Sequence, residues 1–163
     1  MGSSILAKSR HRLVLLALLS LILALPILQV GFVVDDYPQL MAVRGHTVGG
    51  ATPYDLYRFT SSDPAEVKRI IEQGPWGWWA DPELQASFFR PYASLLLNID
   101  HALFGLDSRG YAAHTLLYNT LLVLIVALFF RRILPHRAAW LAALLFAIDD
   151  LHLQAAAWIA ARY

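Results

Sequence analysis

Two adjacent carboxylates, Asp35 and Asp36, stand at the point where a long apolar run ends. Like charges side by side repel, and so close to hydrocarbon an uncompensated charge is costly. Two readings answer that cost. The pair is a polar stop at a membrane surface, or it is an active-site acid pair in which one member acts as general base or holds a divalent cation. Other residues along the chain suit the second reading. Arg90 offers a planar guanidinium that matches phosphate oxygens, or else snorkels to headgroups. His114 and His152 offer imidazoles for substrate contact, His114 equally an interhelical hydrogen bond, and Asp149 and Asp150 form a second acid pair.

The elements that must position these residues are set by composition. Hydrophobic residues make up 58% of the 163 and the mean hydropathy is +0.50, which excludes an ordinary soluble domain and points to an all-α integral membrane protein. A net charge of +1 argues against a nucleic-acid partner and makes the lipid bilayer the expected one. With no cysteine, disulfides, thiolate chemistry and cysteine zinc sites are excluded.

Lys8, Arg10, His11 and Arg12 precede residues 13–34, an uncharged run long enough to cross about 30 Å of hydrocarbon as a helix, with a kink expected at Pro26. The run exceeds the roughly 7–15 residues of a signal peptide's apolar core and lacks a small-x-small cleavage site, so the helix is expected to be retained. The basic flank places the N-terminus in the cytoplasm and the acid pair outside.

Residues 35–110 form the outer segment. Ser62-Asp63-Pro64-Ala65-Glu66 reads as a helix start with a capping box, and Gly74 as its stop. Pro75-Trp76-Gly77-Trp78-Trp79 reads as a headgroup-level anchor, or as a platform for a sugar or lipid. Arg90-Pro91 opens an amphipathic helix with Tyr92, Leu95, Leu96, Ile99 and Leu103 on one face and Ser94, Asn98 and His101 on another, expected to lie along the membrane. Residues 111–130 form a second span carrying His114 and Asn119. The basic residues Arg131, Arg132, His136 and Arg137 return the chain to the cytoplasm. Residues 138–163 start a third span, interrupted at Asp149-Asp150. On this topology Asp35, Asp36, Arg90, His114, Asp149, Asp150 and His152 all fall toward the outer face.

The same residues carry a family resemblance. Phe89-Arg90-Pro91-Tyr92, followed by Leu103-Phe104-Gly105 and Gly110-Tyr111-x-x-His114, resembles an "RPL…LFG…GYH..N" signature. Ala143-Leu144-Leu145-Phe146-Ala147 followed by Leu151-His152-x-x-Ala155-x-x-Trp158-Ile159-Ala160-x-Arg162 resembles "ALLFALHPLHVEAVAWIAGR". Both, with an acid pair after the first span, are similar to membrane-embedded glycosyltransferases of the GT-C type, in the protein O-mannosyltransferase-like and TMTC-like branch with its bacterial relatives. The chain departs from that pattern where Asp149-Asp150 replaces His-Pro and Gln154 replaces Glu.

The resemblance implies a polyprenyl-phosphate sugar donor at the outer face and a protein, lipid or glycan acceptor. It makes Asp35 or Asp36 the base or the ligand of a divalent cation, with Asp35 favoured, and Arg90 the phosphate partner. It also implies further transmembrane helices of a longer parent chain as partners. The 163 residues are then an N-terminal fragment, expected to be inactive alone and to sit in a bacterial inner membrane. The alternatives are a non-catalytic membrane scaffold keeping the first spans and, more distantly, a metal transporter or sensor. The topology has its own test. A cysteine introduced at Ser61 should react with an impermeant maleimide in intact cells, whereas one at Ser9 should react only after lysis; the reverse pattern would invert the outer-face assignment.

Overall fold

Residues 3–25 contain neither proline nor glycine, so an α-helix can run without interruption. In the computed structural model α1 spans Gly2–Ala24 and passes into a 3-10 segment over Leu25–Gln29, with Pro26 in its first turn. Pro26 has no N–H to donate and its ring crowds the carbonyl one turn back. The tighter helix absorbs that conflict for one turn and then stops. The helical run therefore ends at Gln29, short of the residue 34 expected from hydropathy. The structure describes residues 2–46, 51–60, 63–73, 77–81, 83, 85–149, 158 and 159.

Every regular element among them is a helix: α2 (Asp36–Val43), α3 (Pro64–Gln73), α4 (Pro91–Phe104), α5 (Ser108–Ile133) and α6 (His136–Ile148) follow α1. The acid pair thus opens a separate helix, α2, instead of closing the first. The chain divides into two compact units, one made of Met1–Gly31 with Asp107–Arg162, the other of Phe32–Leu106.

In the first unit α1, α5 and α6 pack on one another. Asp107 caps α5 by accepting the Arg109 N–H at 3.0 Å. The contacts are made by small side chains. Ala139, Ala143 and Ala147 recur every fourth residue on α6 and are fully buried, as is Ala127 of α5. Ala127, Ala143 and Ala147 form one core with Leu16 and Val123, and Ala24, Ile27, Ala112 and Leu116 form another. Spacing by four keeps the alanines on one stripe and lets helix backbones approach closely. Larger side chains point outward, among them Val14, Leu18, Ile22, Leu121, Ile125, Phe129, Leu141 and Leu145. Two helical stretches, Arg10–Gln29 and Ser108–Ile133, are long and apolar enough to cross a membrane, and α6 is shorter.

In the second unit α2 packs against α4. Gly45 ends α2 with φ +83°. Its N–H donates to the Ala42 carbonyl, and the His46 N–H to that of Met41, the paired bonds of a Schellman stop that favours glycine. Asp63 caps α3 by accepting the Ala65 N–H at 3.0 Å, and α3 buries Val67 and Ile70. The alanine stripe makes a direct test. Ala143→Leu should destabilise the helical unit by about 1–3 kcal/mol through overpacking, whereas Leu145→Ala, at an outward position, should change it little; denaturant-induced loss of helicity in detergent micelles reads both.

Candidate functional site

Asp36 and Asp35 are neighbours in sequence but differ in circumstance. The Asp36 N–H donates to the Val33 carbonyl at 2.6 Å, and its Oδ2 accepts the Val33 N–H at 2.7 Å. These reciprocal bonds close the turn into α2 and leave Asp36 buried. Asp35 occupies the N-cap position with helical backbone angles, and its side chain caps nothing. It is half-buried, and its carboxylate accepts no hydrogen bond from a described residue. One acid of the pair holds the turn, and the other is left for chemistry.

One turn along α2, on the same face as Asp36, lies Gln39. It is fully buried, and neither its Nε2 nor its Oε1 bonds to a described residue. The facing helix α4 turns Ser94 and Asp100 inward. The Ser94 hydroxyl accepts the Leu56 N–H and donates to the Arg90 carbonyl, each at 3.1 Å. The Asn98 amide donates to the carbonyls of Pro53 and Ser94. Meanwhile Tyr92, Leu95, Ile99 and Leu103 are exposed. The amphipathic helix expected from the sequence is present with its apolar face outward. Leu96 is the exception, since it is buried with Leu97.

Arg90 is the N-cap residue of α4. Its guanidinium carbon lies 5.1 Å from the Tyr57 ring centre and 5.8 Å from that of Phe88. The chain brings those rings together by a short antiparallel pairing: Phe88 N–H donates to the Tyr57 carbonyl at 3.1 Å and Phe59 N–H to that of Ala86 at 2.9 Å. Phe59 stands edge-on to both Tyr57 and Phe88. Aromatic faces hold a guanidinium through its π surface and leave its N–H edge for an anion. No carboxylate among the described residues pairs with Arg90.

Asp35, Asp36 and Arg90 thus belong to one unit and His114 to the other. His114 lies on α5, half-buried, its ring 4.5 Å from that of Tyr118 on the next turn. Asp149 follows the end of α6. Asp150 and His152, with Gln154 and Arg162, lie outside the described residues, as do Ser62, Gly74 and Trp76. Among the described residues no group of three or more histidine or acidic side chains is placed to hold a metal. A divalent cation at Asp35 would therefore take most of its oxygens from substrate and water, a coordination that magnesium accepts.

No protein-family model matches the chain, and no curated protein or solved structure matches it. Two components of this site escaped sequence reasoning. Gln39 was signalled only by its three-residue spacing from Asp36, and the Tyr57–Phe88 clamp by nothing short of the tertiary pairing. The division of labour in the acid pair is testable. Asp36→Ala should lower the stability of the folded chain by about 0.5–1.5 kcal/mol, because it removes the part-buried hydrogen bond to the Val33 N–H that closes the turn. Asp36→Asn, which keeps an acceptor oxygen, should recover much of that loss, and Asp35→Ala should change it little.

Proposed function

We propose that this chain forms an outer-face segment and membrane helices of a glycosyltransferase that moves a sugar from a polyprenyl-phosphate donor. The observation that carries the reading is the presence, within one unit, of a carboxylate that accepts no hydrogen bond from a described residue and a guanidinium set against two aromatic rings with no described carboxylate paired to it. Glycosyl transfer from a phosphate ester needs both. Asp35 takes the proton from the acceptor hydroxyl as its oxygen attacks the anomeric carbon. The bond from that carbon to the phosphate oxygen breaks, and the negative charge passes to the polyprenyl phosphate. Arg90 receives that charge with two parallel N–H donors. A divalent cation at Asp35 would add Lewis-acid help to the same leaving group.

Membrane embedding is supported by the distribution of side chains. The helical unit keeps a stripe of alanines inside and turns many of its large aliphatic side chains outside, an arrangement that costs nothing when the solvent is hydrocarbon. In the other unit the outward face of α4 and the exposed Trp78 and Trp79 suit the headgroup layer, where apolar surface is covered and indole N–H groups remain wet.

Membranes from cells expressing the complete open reading frame, given a radiolabelled polyprenyl-phosphate sugar, test the roles. Asp35→Asn should lower transfer by about 10²–10⁴-fold at unchanged expression. Arg90→Gln should weaken donor use by about 10–100-fold, the worth of a charge-assisted hydrogen bond, with Arg90→Lys in between. Full turnover in the Asp35→Asn variant would remove Asp35 as the base, and no transfer above that of membranes lacking the chain would remove the transferase reading and leave a membrane scaffold.

A further inference from the structure

The opposite pole of the helical unit carries a second concentration of chemistry. Trp140, near the start of α6, has the guanidinium carbons of both Arg12 and Arg131 5.5 Å from its ring centre. Arg12 also donates to His136 Nε2 at 2.9 Å, which requires that nitrogen to be an unprotonated acceptor. Two cations on one indole repel each other, and no acid offsets them. Residues 1–34 and 108–148 contain no aspartate or glutamate at all, while Lys8, Arg10, Arg12, Arg131, Arg132 and Arg137 all lie toward this pole. The Trp140 indole N–H is buried and donates to no described acceptor. The two guanidinium groups on its ring, with no described carboxylate beside them, are left to share one anion.

Below them runs an open groove of about 200 Å³, lined by Arg12, Leu15, Leu16, Leu19, Trp140 and Leu144. Arg12 and Trp140 lie at the charged end of α1 and α6, and Leu19 and Leu144 one to two turns further along each helix. The order from rim to floor is cation, indole, aliphatic. A free phosphate would use only the rim. The geometry points to a binding site for one anionic phospholipid, its phosphodiester at Arg12 and Arg131 beside the Trp140 ring and an acyl chain along Leu15, Leu19 and Leu144. This rests on the membrane embedding of α1 and α5 proposed above, and its residues lie at the opposite end of α6 from Asp149.

Trp140 can report on its own site. The full chain with Trp76, Trp78, Trp79 and Trp158 changed to phenylalanine is reconstituted in phosphatidylcholine vesicles containing phosphatidylglycerol, with either lipid brominated on its acyl chains. Brominated phosphatidylglycerol should quench Trp140 as though enriched about fivefold per arginine over its share of the bilayer. Arg12→Gln with Arg131→Gln should bring that enrichment close to one. Arg10→Gln with Arg137→Gln, an equal loss of charge, should leave most of it. Equal quenching by the two lipids, or equal loss in the two double variants, would overturn the site and leave the membrane reading standing. Quenching by neither would overturn both. Relief of quenching by excess inorganic phosphate would mark an anion site without a lipid and overturn the assignment. The unaltered chain offers a second readout: released from micelles into a mass spectrometer, it should retain one phosphatidylglycerol in preference to phosphatidylcholine, and retention of neither would overturn the site.

Discussion

Ala139, Ala143 and Ala147 offer methyl groups where most packed helices offer leucines, so α6 can meet its neighbours only by bringing backbones close. That constraint organises the unit around it. Close backbones leave room in the seam for only some bulky side chains, Leu16, Leu116 and Val123 among them, and many valines, leucines and isoleucines of α1 and α5 are turned to the periphery, an arrangement that the hydrophobic effect in water would oppose. Dispersion between tightly fitted helices, with every backbone amide satisfied inside its own helix, is what holds a bundle together in hydrocarbon. The charged pole then follows. With the seam closed by alanines, arginines at the helix ends have no interior to enter, and they gather on the face of Trp140.

The other unit solves a different problem with polar groups. Its interior contains Asp36, Gln39, Ser94 and Asp100, and the outer surface of α4 is apolar. Ser94 joins the Leu56 backbone to the Arg90 backbone, so the loop that carries Tyr57 and the helix that begins at Arg90 cannot move independently. The guanidinium is thus positioned twice, through its own backbone and through the ring beneath it. Asp36 does the same for Asp35: a carboxylate spent on a backbone turn sets the direction of the carboxylate before it.

Much of this was legible in the chain. Residues 108–133 announce a helix by length, by Asp107 at one end and by Arg131 and Arg132 at the other, and α4 announces its two faces by spacing. The end of the first helix was not legible from hydropathy, because residues 30–34 are as apolar as those before them. What stops the helix is Pro26, a backbone effect that a side-chain scale does not weigh. Leu96 was assigned to the outer face because three- and four-residue spacings overlap, and only the packing of α2 decides between them. For the candidate site, the acid pair and Arg90 were visible as residue types. Their inequality was not, since it depends on which carboxylate reaches Val33. The aromatic clamp joins positions 57 and 88 through a pairing with no pattern strong enough to read.

Gly77 has a part in this that its size alone explains. A Cβ at that position would come within 2.5 Å of the Trp79 ring, so the indole lies directly on the glycine backbone, with Trp78 edge-on beside it at 5.8 Å. Both rings are nonetheless largely exposed. A side chain at position 77 would have to displace the indole, so glycine is what lets the ring lie along the backbone and present its other face outward. The arrangement trades a side chain that would cover the loop for a flat aromatic surface supported from beneath by the main chain.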